Sequence, residues 1–136
     1  MKIDYVYNTA FVLENETKIS KWLNQAAEKE GFSVGNIVYA FFNDNGLKKL
    51  NNKHLNHDYF TDVISFNDSK GTVLNGNIAI SIDRVKENAE RYKTSFNSEL
   101  LRVMVHGLLH FMGYNDSTEK ETCQMRDKED DNLKTF

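Results

Sequence analysis

His106 and His110 stand four residues apart in the run His106-Gly107-Leu108-Leu109-His110-Phe111-Met112-Gly113-Tyr114-Asn115-Asp116. On a helix, that spacing puts both imidazoles on one face. Gly113 can end the helix, and Asp116, three residues further on, can swing back to supply an oxygen ligand. Three such donors suit one zinc ion and leave a fourth position for water, which separates a catalytic site from a closed structural one. An ion held this way lowers the pKa of its water to about 7 and polarises a phosphoryl oxygen, so phosphodiester hydrolysis is chemistry that these residues allow.

The same spacing occurs in metzincin proteases, H-x-x-x-H-x-x-G-x-x-H, with aspartate here in place of the last histidine. Zincin proteases carry a glutamate directly after the first histidine, where it serves as general base, whereas this chain has Gly107. Peptide hydrolysis by that route is therefore disfavoured.

The elements that must position these residues follow from hydrophobic periodicity. Phe96 to Met112 carries Leu100, Leu101, Met104, Val105, Leu108 and Leu109 and is expected to form a central helix holding both histidines. Upstream, Ile3 to Tyr7 alternates as a half-buried strand. Glu16 to Lys29 has Ile19, Trp22, Leu23, Ala26 and Ala27 at helical spacing, with Gly31 as a C-terminal stop. Asn36 to Phe42 reads as a strand buried on both faces, closed by Asn43-Asp44-Asn45-Gly46, and a short helix follows through Leu47, Leu50 and Asn51. Asp62 to Phe66 and Asn77 to Ile82 read as two further strands, separated by a segment with Gly71, Asn75 and Gly76, and Asp83 to Tyr92 as an amphipathic helix. Thr118 with Glu121 resembles a capping box for a last helix, and the acidic tail Glu129-Asp130-Asp131 is expected to fray.

With 136 residues, the chain is long enough for one domain with a real core, residues 1–136, and too short for two. Its 40% apolar and 12% aromatic content excludes a disordered chain, and no apolar run approaches the roughly 20 residues that cross a bilayer. The first ten residues lack a secretory pattern, so cytoplasmic residence is the expectation. Cys123 is the only cysteine, which excludes an intrachain disulfide and a thiolate zinc cluster and leaves an incidental thiol. The net charge of −3 argues against a polyanion grip by the whole surface, so any contact with nucleic acid must be local.

These residues resemble the YbeY family of bacterial metal-dependent endoribonucleases, whose signature runs H-G-x-L-H-x-x-G-Y-D-H. His106, Gly107, Leu109, His110, Gly113 and Tyr114 fit it directly, and Met125 with Glu129 fits the M-x-x-x-E that follows. Leu50-Asn51, the block Asp58 to Phe66 and Gly76-Asn77-Ile78 resemble the family's L-N, D-x-P-T-D-V-L-S-F and G-D-I. The resemblance spans roughly Leu47 to Glu129. It implies an α+β, zincin-like (metalloprotease-like) domain, in which a small mixed four-stranded sheet packs with helices around a central metal-binding helix. The activity implied is zinc-dependent, single-strand-specific endoribonuclease action in rRNA processing, including maturation of the small-subunit rRNA 3′ end and late-stage ribosome quality control. His106, His110 and Asp116 would act through a metal-activated water, and the partners implied are ribosomal RNA, the small subunit and the GTPase Era.

The departures are specific. Asp116 stands where most of the family has histidine, and Asn115 where it has aspartate. Leu55 replaces an arginine implicated in RNA handling, His54 a tyrosine and Phe60 a proline. Leucine cannot pair with phosphate. His54 and His57 lie near Lys48, Lys49 and Lys53, and Lys49, Lys53, His54 and His57 are the candidate RNA-binding residues, against the plainer reading of a solvated helix face. Arg84, Lys86, Arg91 and Lys93 form a patch diluted by Glu87 and Glu90. Asp62 could bond a metal ligand or move a proton near the metal, but a turn-capping role is expected. Glu129 could reach back to the metal helix, but a solvated or structural carboxylate is expected in an acidic tail. Two further readings stay open: a non-catalytic rRNA-binding ribosome assembly factor with a structural zinc, and a metal hydrolase acting on another small or peptide substrate.

Overall fold

Apolar alternation sets two faces on every strand, and the computed structural model shows how each face is covered. It describes residues 2–55 and 61–136, except for the side chains of His54 and Leu55. In chain order the elements are β1 (Lys2–Tyr7), α1 (Glu16–Lys29), β2 (Ser33–Phe42), α2 (Asp44–Leu55), β3 (Val63–Asn67), β4 (Val73–Ser81), α3 (Ile82–Arg91), α4 (Phe96–Phe111) and α5 (Glu119–Leu133). The sheet order is β1-β2-β4-β3, with β1 and β4 parallel to β2 and β3 antiparallel to β4. This is the mixed four-stranded sheet with helices that the sequence led us to expect.

Ile37, Tyr39 and Phe41 of β2 and Ile78 and Ile80 of β4 bury into one core with residues of α1, α3, α4 and α5. The intervening Ala79, with Ile64 of β3 and Leu47 of α2, forms a second cluster on the opposite face. The helix that carries the histidines therefore lies on one side of the sheet and α2 on the other. Tyr39 donates its hydroxyl hydrogen bond to the Met104 carbonyl at 2.8 Å, tying β2 to the middle of α4. Trp22 Nε1 donates to the Asn132 carbonyl at 2.8 Å, tying α1 to α5.

Two strands begin earlier than their side chains suggest. β2 starts at Ser33 and β4 at Val73, because Ser33 and Val34 pair with Val73 and Leu74 ahead of a bulge. Backbone pairing there needs no apolar alternation. The C-terminal tail does not fray: α5 continues to Leu133, with Glu129 and Asn132 only 5% and 3% exposed. Its start is the expected capping box, in which Thr118 Oγ1 accepts from the Glu121 amide and Glu121 Oε1 accepts from the Thr118 amide, both at 3.1 Å.

Gly76 joins the sheet and the helix that carries the histidines. Its φ is +149°, and a Cβ there would collide with the Phe66 carbonyl oxygen and stand 2.8 Å from Phe111 Cζ. Gly76→Ala is expected to destabilise the fold by more than about 3 kcal/mol, combining backbone strain with overpacking against a neighbouring strand. A urea titration of the two proteins checks this. An unchanged midpoint would show that β3 and β4 can separate freely at this position.

Candidate metal centre

The path of the chain after α4 decides where Asp116 lies. Ser95 caps the helix by accepting from the Ser98 amide, and at the other end Gly113 takes φ +99°. The Gly113 amide then donates to the His110 carbonyl and the Tyr114 amide to the Leu109 carbonyl, each at 3.1 Å, which is a Schellman stop. That stop turns the chain back over the last turn of the helix. Tyr114 is fixed by its hydroxyl, which donates to Glu30 Oε1 at 2.8 Å, and Thr122 Oγ1 donates to the Asp116 carbonyl at 3.1 Å. Asp116 is thus held between two anchored points.

The three expected donors converge. His106 Nε2 and His110 Nε2 are 3.0 Å apart, and Asp116 Oδ2 is 3.4 and 3.7 Å from them. Bonds of 2.0–2.1 Å in a tetrahedron require donor separations of about 3.3–3.4 Å, so this triangle could hold a zinc ion with little movement. Among the described residues, these are the ones whose ligand atoms cluster in this way. The histidine side chains are 18% and 26% exposed and that of Asp116 is 46% exposed, so the fourth direction opens toward solvent.

Gly107 is explained by packing. A Cβ at this position would stand 2.9 Å from Ile78 Cγ2, because α4 presses directly on β4 there. The position that carries the base in zincin proteases therefore faces the sheet and has no room for a glutamate.

Glu129 corrects the expectation of a solvated carboxylate. It is buried, its Oε2 lies 2.6 Å from His106 Nδ1, and its Oε1 accepts from Arg102 Nη1 at 2.8 Å. The other arm of Arg102 donates to Asp130 at 2.6 Å. Arg102 lies one turn before His106, so α4 presents the histidine and the cation that holds its partner on one stripe. With Nδ1–H bonded to the carboxylate, Nε2 is left unprotonated toward His110 and Asp116, as a metal ligand there would need to be. Sequence spacing offered only the M-x-x-x-E resemblance as a signal for this residue.

The electrostatics follow from these contacts. Burial disfavours charge on His106, but the hydrogen bond and charge of Glu129 outweigh it and hold its pKa above the ordinary 6.5. Burial would raise Glu129, but His106 and Arg102 prevail and keep it below 4.5. His110 is lowered by burial and then by the neighbouring His106 charge. A carboxylate with a lowered folded pKa stabilises the fold above its unfolded value, so the contribution of Glu129 is present above pH 4.5 and is lost as acidification passes its folded pKa. Metal uptake has the same pH direction. Nε2 must lose its proton, so at a fixed zinc concentration loading is expected to fall as the pH is lowered, with a midpoint that the negative charge of Glu129 moves upward and Glu129→Gln moves lower. A competition titration against a chromogenic chelator at a series of pH values reads the midpoint, and an unmoved midpoint would deny the coupling.

Asp62 both caps and faces the site. Its carbonyl accepts from the Ser81 amide at 2.9 Å and its carboxylate from Asn88 Nδ2 at 3.3 Å. The carboxyl also lines a cavity of about 180 Å³ beside His106, and burial raises its pKa against the attraction of His106. The structure does not bring the candidate RNA-binding lysines to this cavity: Lys49 and Lys53 are exposed on α2, across the sheet. The His54 side chain, His57 and the segment Asp58 to Phe60 lie outside the described residues. Arg84 and Arg91 are paired with Asp44 and Glu87, as expected of a solvated charge patch.

Comparisons with known proteins agree with this geometry. The family model described as endoribonuclease YbeY matches residues 6–136. An endoribonuclease YbeY of Flavobacterium psychrophilum is 45% identical over 134 residues, covering 98% of this chain and 96% of its own. That of Christiangramia forsetii is 42% identical over 135 residues, covering 99% and 94%. Among solved structures, the solution structure of TM1509 from Thermotoga maritima superposes with a TM-score of 0.70 at 24% identity, covering 98% of this chain and 87% of that one, which establishes likeness of fold. Identity of this extent, along a chain that folds its histidine pair against Asp116, means that the chain belongs to the endoribonuclease YbeY family.

Proposed function

We propose that this protein is a metal-dependent endoribonuclease that cleaves single-stranded RNA in rRNA processing, with roles in maturation of the small-subunit rRNA 3′ end and in late-stage ribosome quality control. The observation that carries this reading is the triangle of His106, His110 and Asp116, sized for one tetrahedral ion and opening on a cavity, in a relative of proteins named endoribonuclease. Two imidazoles and one carboxylate favour zinc. Bound there, the ion would supply Lewis acidity toward a phosphoryl oxygen and acidify water, less strongly than with three neutral histidines because Asp116 cancels one charge.

The protein's own groups do the rest. Glu129 keeps the proton of His106 on Nδ1 and fixes the ring, while Arg102 keeps Glu129 ionised. The Asp62 carboxyl, which holds its proton to higher pH than an exposed aspartate, is the group on this cavity wall suited to donate a proton to the departing oxygen. Lys49, Lys53, His54 and His57 would contact the RNA backbone. The whole chain acts as one domain, its partners are ribosomal RNA, the small subunit and the GTPase Era, and its place of action is the cytoplasm. Among the described residues no helix is long and apolar enough to cross a membrane.

The test is cleavage of end-labelled single-stranded RNA and of its duplex by the zinc-loaded protein, with and without chelator. Cleavage of the single strand that chelator stops and zinc restores is expected. RNA binding without chelator-sensitive cleavage would instead support the assembly-factor reading, which the names of the relatives do not favour.

A further inference from the structure

We propose that the cavity beside His106 is a nucleobase subsite that selects guanine through Glu99, a deeper assignment that rests on the ribonuclease reading above. Glu99 lies seven residues before His106 on the same stripe of α4, about 10 Å along the axis, a spacing that an extended nucleotide can bridge. It is only 6% exposed and lines the cavity, yet its carboxylate makes no hydrogen bond among the described residues. Arg102, whose charge attracts Glu99, has its guanidinium hydrogen-bonded instead to Glu129 and Asp130. A partly desolvated carboxylate without a donor is unfavourable, and burial accordingly pushes Glu99 above the usual carboxylate range while its oxygens stay open to the cavity. A ligand that brings N–H donors would complete it.

Guanine is the base whose Watson–Crick edge offers two parallel donors, N1–H and N2–H, to the two oxygens of one carboxylate. Adenine and cytosine place a ring acceptor beside their amino group, and uracil flanks its single N–H with two carbonyls. The remaining walls suit a base as well. Tyr92, 59% exposed at the cavity rim, offers an aromatic face for stacking. Asn88 presents an amide, and Arg126 stands on the rim as a cation for a flanking phosphate. A second metal ion is a poorer occupant, because among the described residues only His106, His110 and Asp116 bring three ligand atoms together.

The experiment uses the zinc-loaded full chain and uridine oligonucleotides that carry one central guanosine, inosine or adenosine, with an all-uridine strand and free guanosine monophosphate as further arms. Inosine lacks only the N2 amino group. The guanosine strand is expected to have a kcat/KM roughly tenfold above the inosine strand, the scale of one good bidentate base contact. Glu99→Gln should bring the guanosine strand down to the inosine rate while taking up zinc as the wild type does, and Tyr92→Ser, at an exposed position, should raise KM for every base. Equal rates on guanosine and inosine with the all-uridine strand still cut would overturn the subsite and leave the ribonuclease standing. Tight binding of guanosine monophosphate without any strand preference would overturn it too, as a free-nucleotide site. Failure to cut any strand would remove the ribonuclease reading and the subsite together.

Discussion

Replacing His110 with alanine is expected to lower chelator-sensitive RNA cleavage more than about a hundredfold, beyond the 10–100-fold that loss of a partner outside the ligand set costs. The reason is geometric. Removing one Nε2 from a triangle of 3.0, 3.4 and 3.7 Å leaves His106 and Asp116, and two donors cannot hold an ion in water as three do. The His110 side chain is 26% exposed and packs a polar ring against another, so metal-free stability should move by no more than about 1 kcal/mol. Zinc content by mass spectrometry, thermal melting with chelator and cleavage of labelled RNA are measured on both proteins, purified identically. Undiminished cleavage by a variant that carries no metal would end the proposed mechanism, and equal chelator-insensitive cleavage by both would identify a contaminant.

The second large effect is expected at Glu129. Glu129→Ala removes the acceptor of His106 Nδ1–H and strands one arm of Arg102, so zinc affinity should fall about 10–100-fold. The metal-free fold should lose about 3 kcal/mol, at the low end for a broken buried ion pair because Asp130 still holds the other arm of Arg102. Glu129→Gln keeps an oxygen for the Nδ1 proton and should recover part of the affinity at alkaline pH, which separates orientation of the ring from charge. Cobalt substitution offers an independent readout, since a tilted ring changes the visible spectrum of the bound ion. Wild-type affinity and spectrum in Glu129→Ala would show that His106 needs no such partner.

Local spacing made the donors legible. His106 and His110 share a helix face, Gly113 supplies the left-handed stop, and the box of Thr118 and Glu121 restarts the helix, all within sixteen residues. The apolar stripe of α1 and the centre of β2 were equally plain. The early starts of β2 and β4 were not, because Ser33, Val34, Val73 and Leu74 pair through backbone groups that any side chain leaves in place. Nor was the order β1-β2-β4-β3, which depends on contacts between segments distant in the chain.

The sequence by itself determined a candidate metal triad, because its three donors are close along the chain and helix and turn dictate their geometry. Only the tertiary structure decided the surroundings of Glu129 and Glu99, and the separation of Lys49 and Lys53 from the histidine pair. In a string of letters, a carboxylate in an acidic tail and one in a buried cavity look alike. They differ in which distant segments fold over them: α5 carries Glu129 onto His106, the α3 and β3 side closes the cavity over Glu99, and the sheet itself puts α2 on its far face. Burial and the partners it brings set what a charged group can do, and both arise from packing between elements that neighbouring residues do not specify.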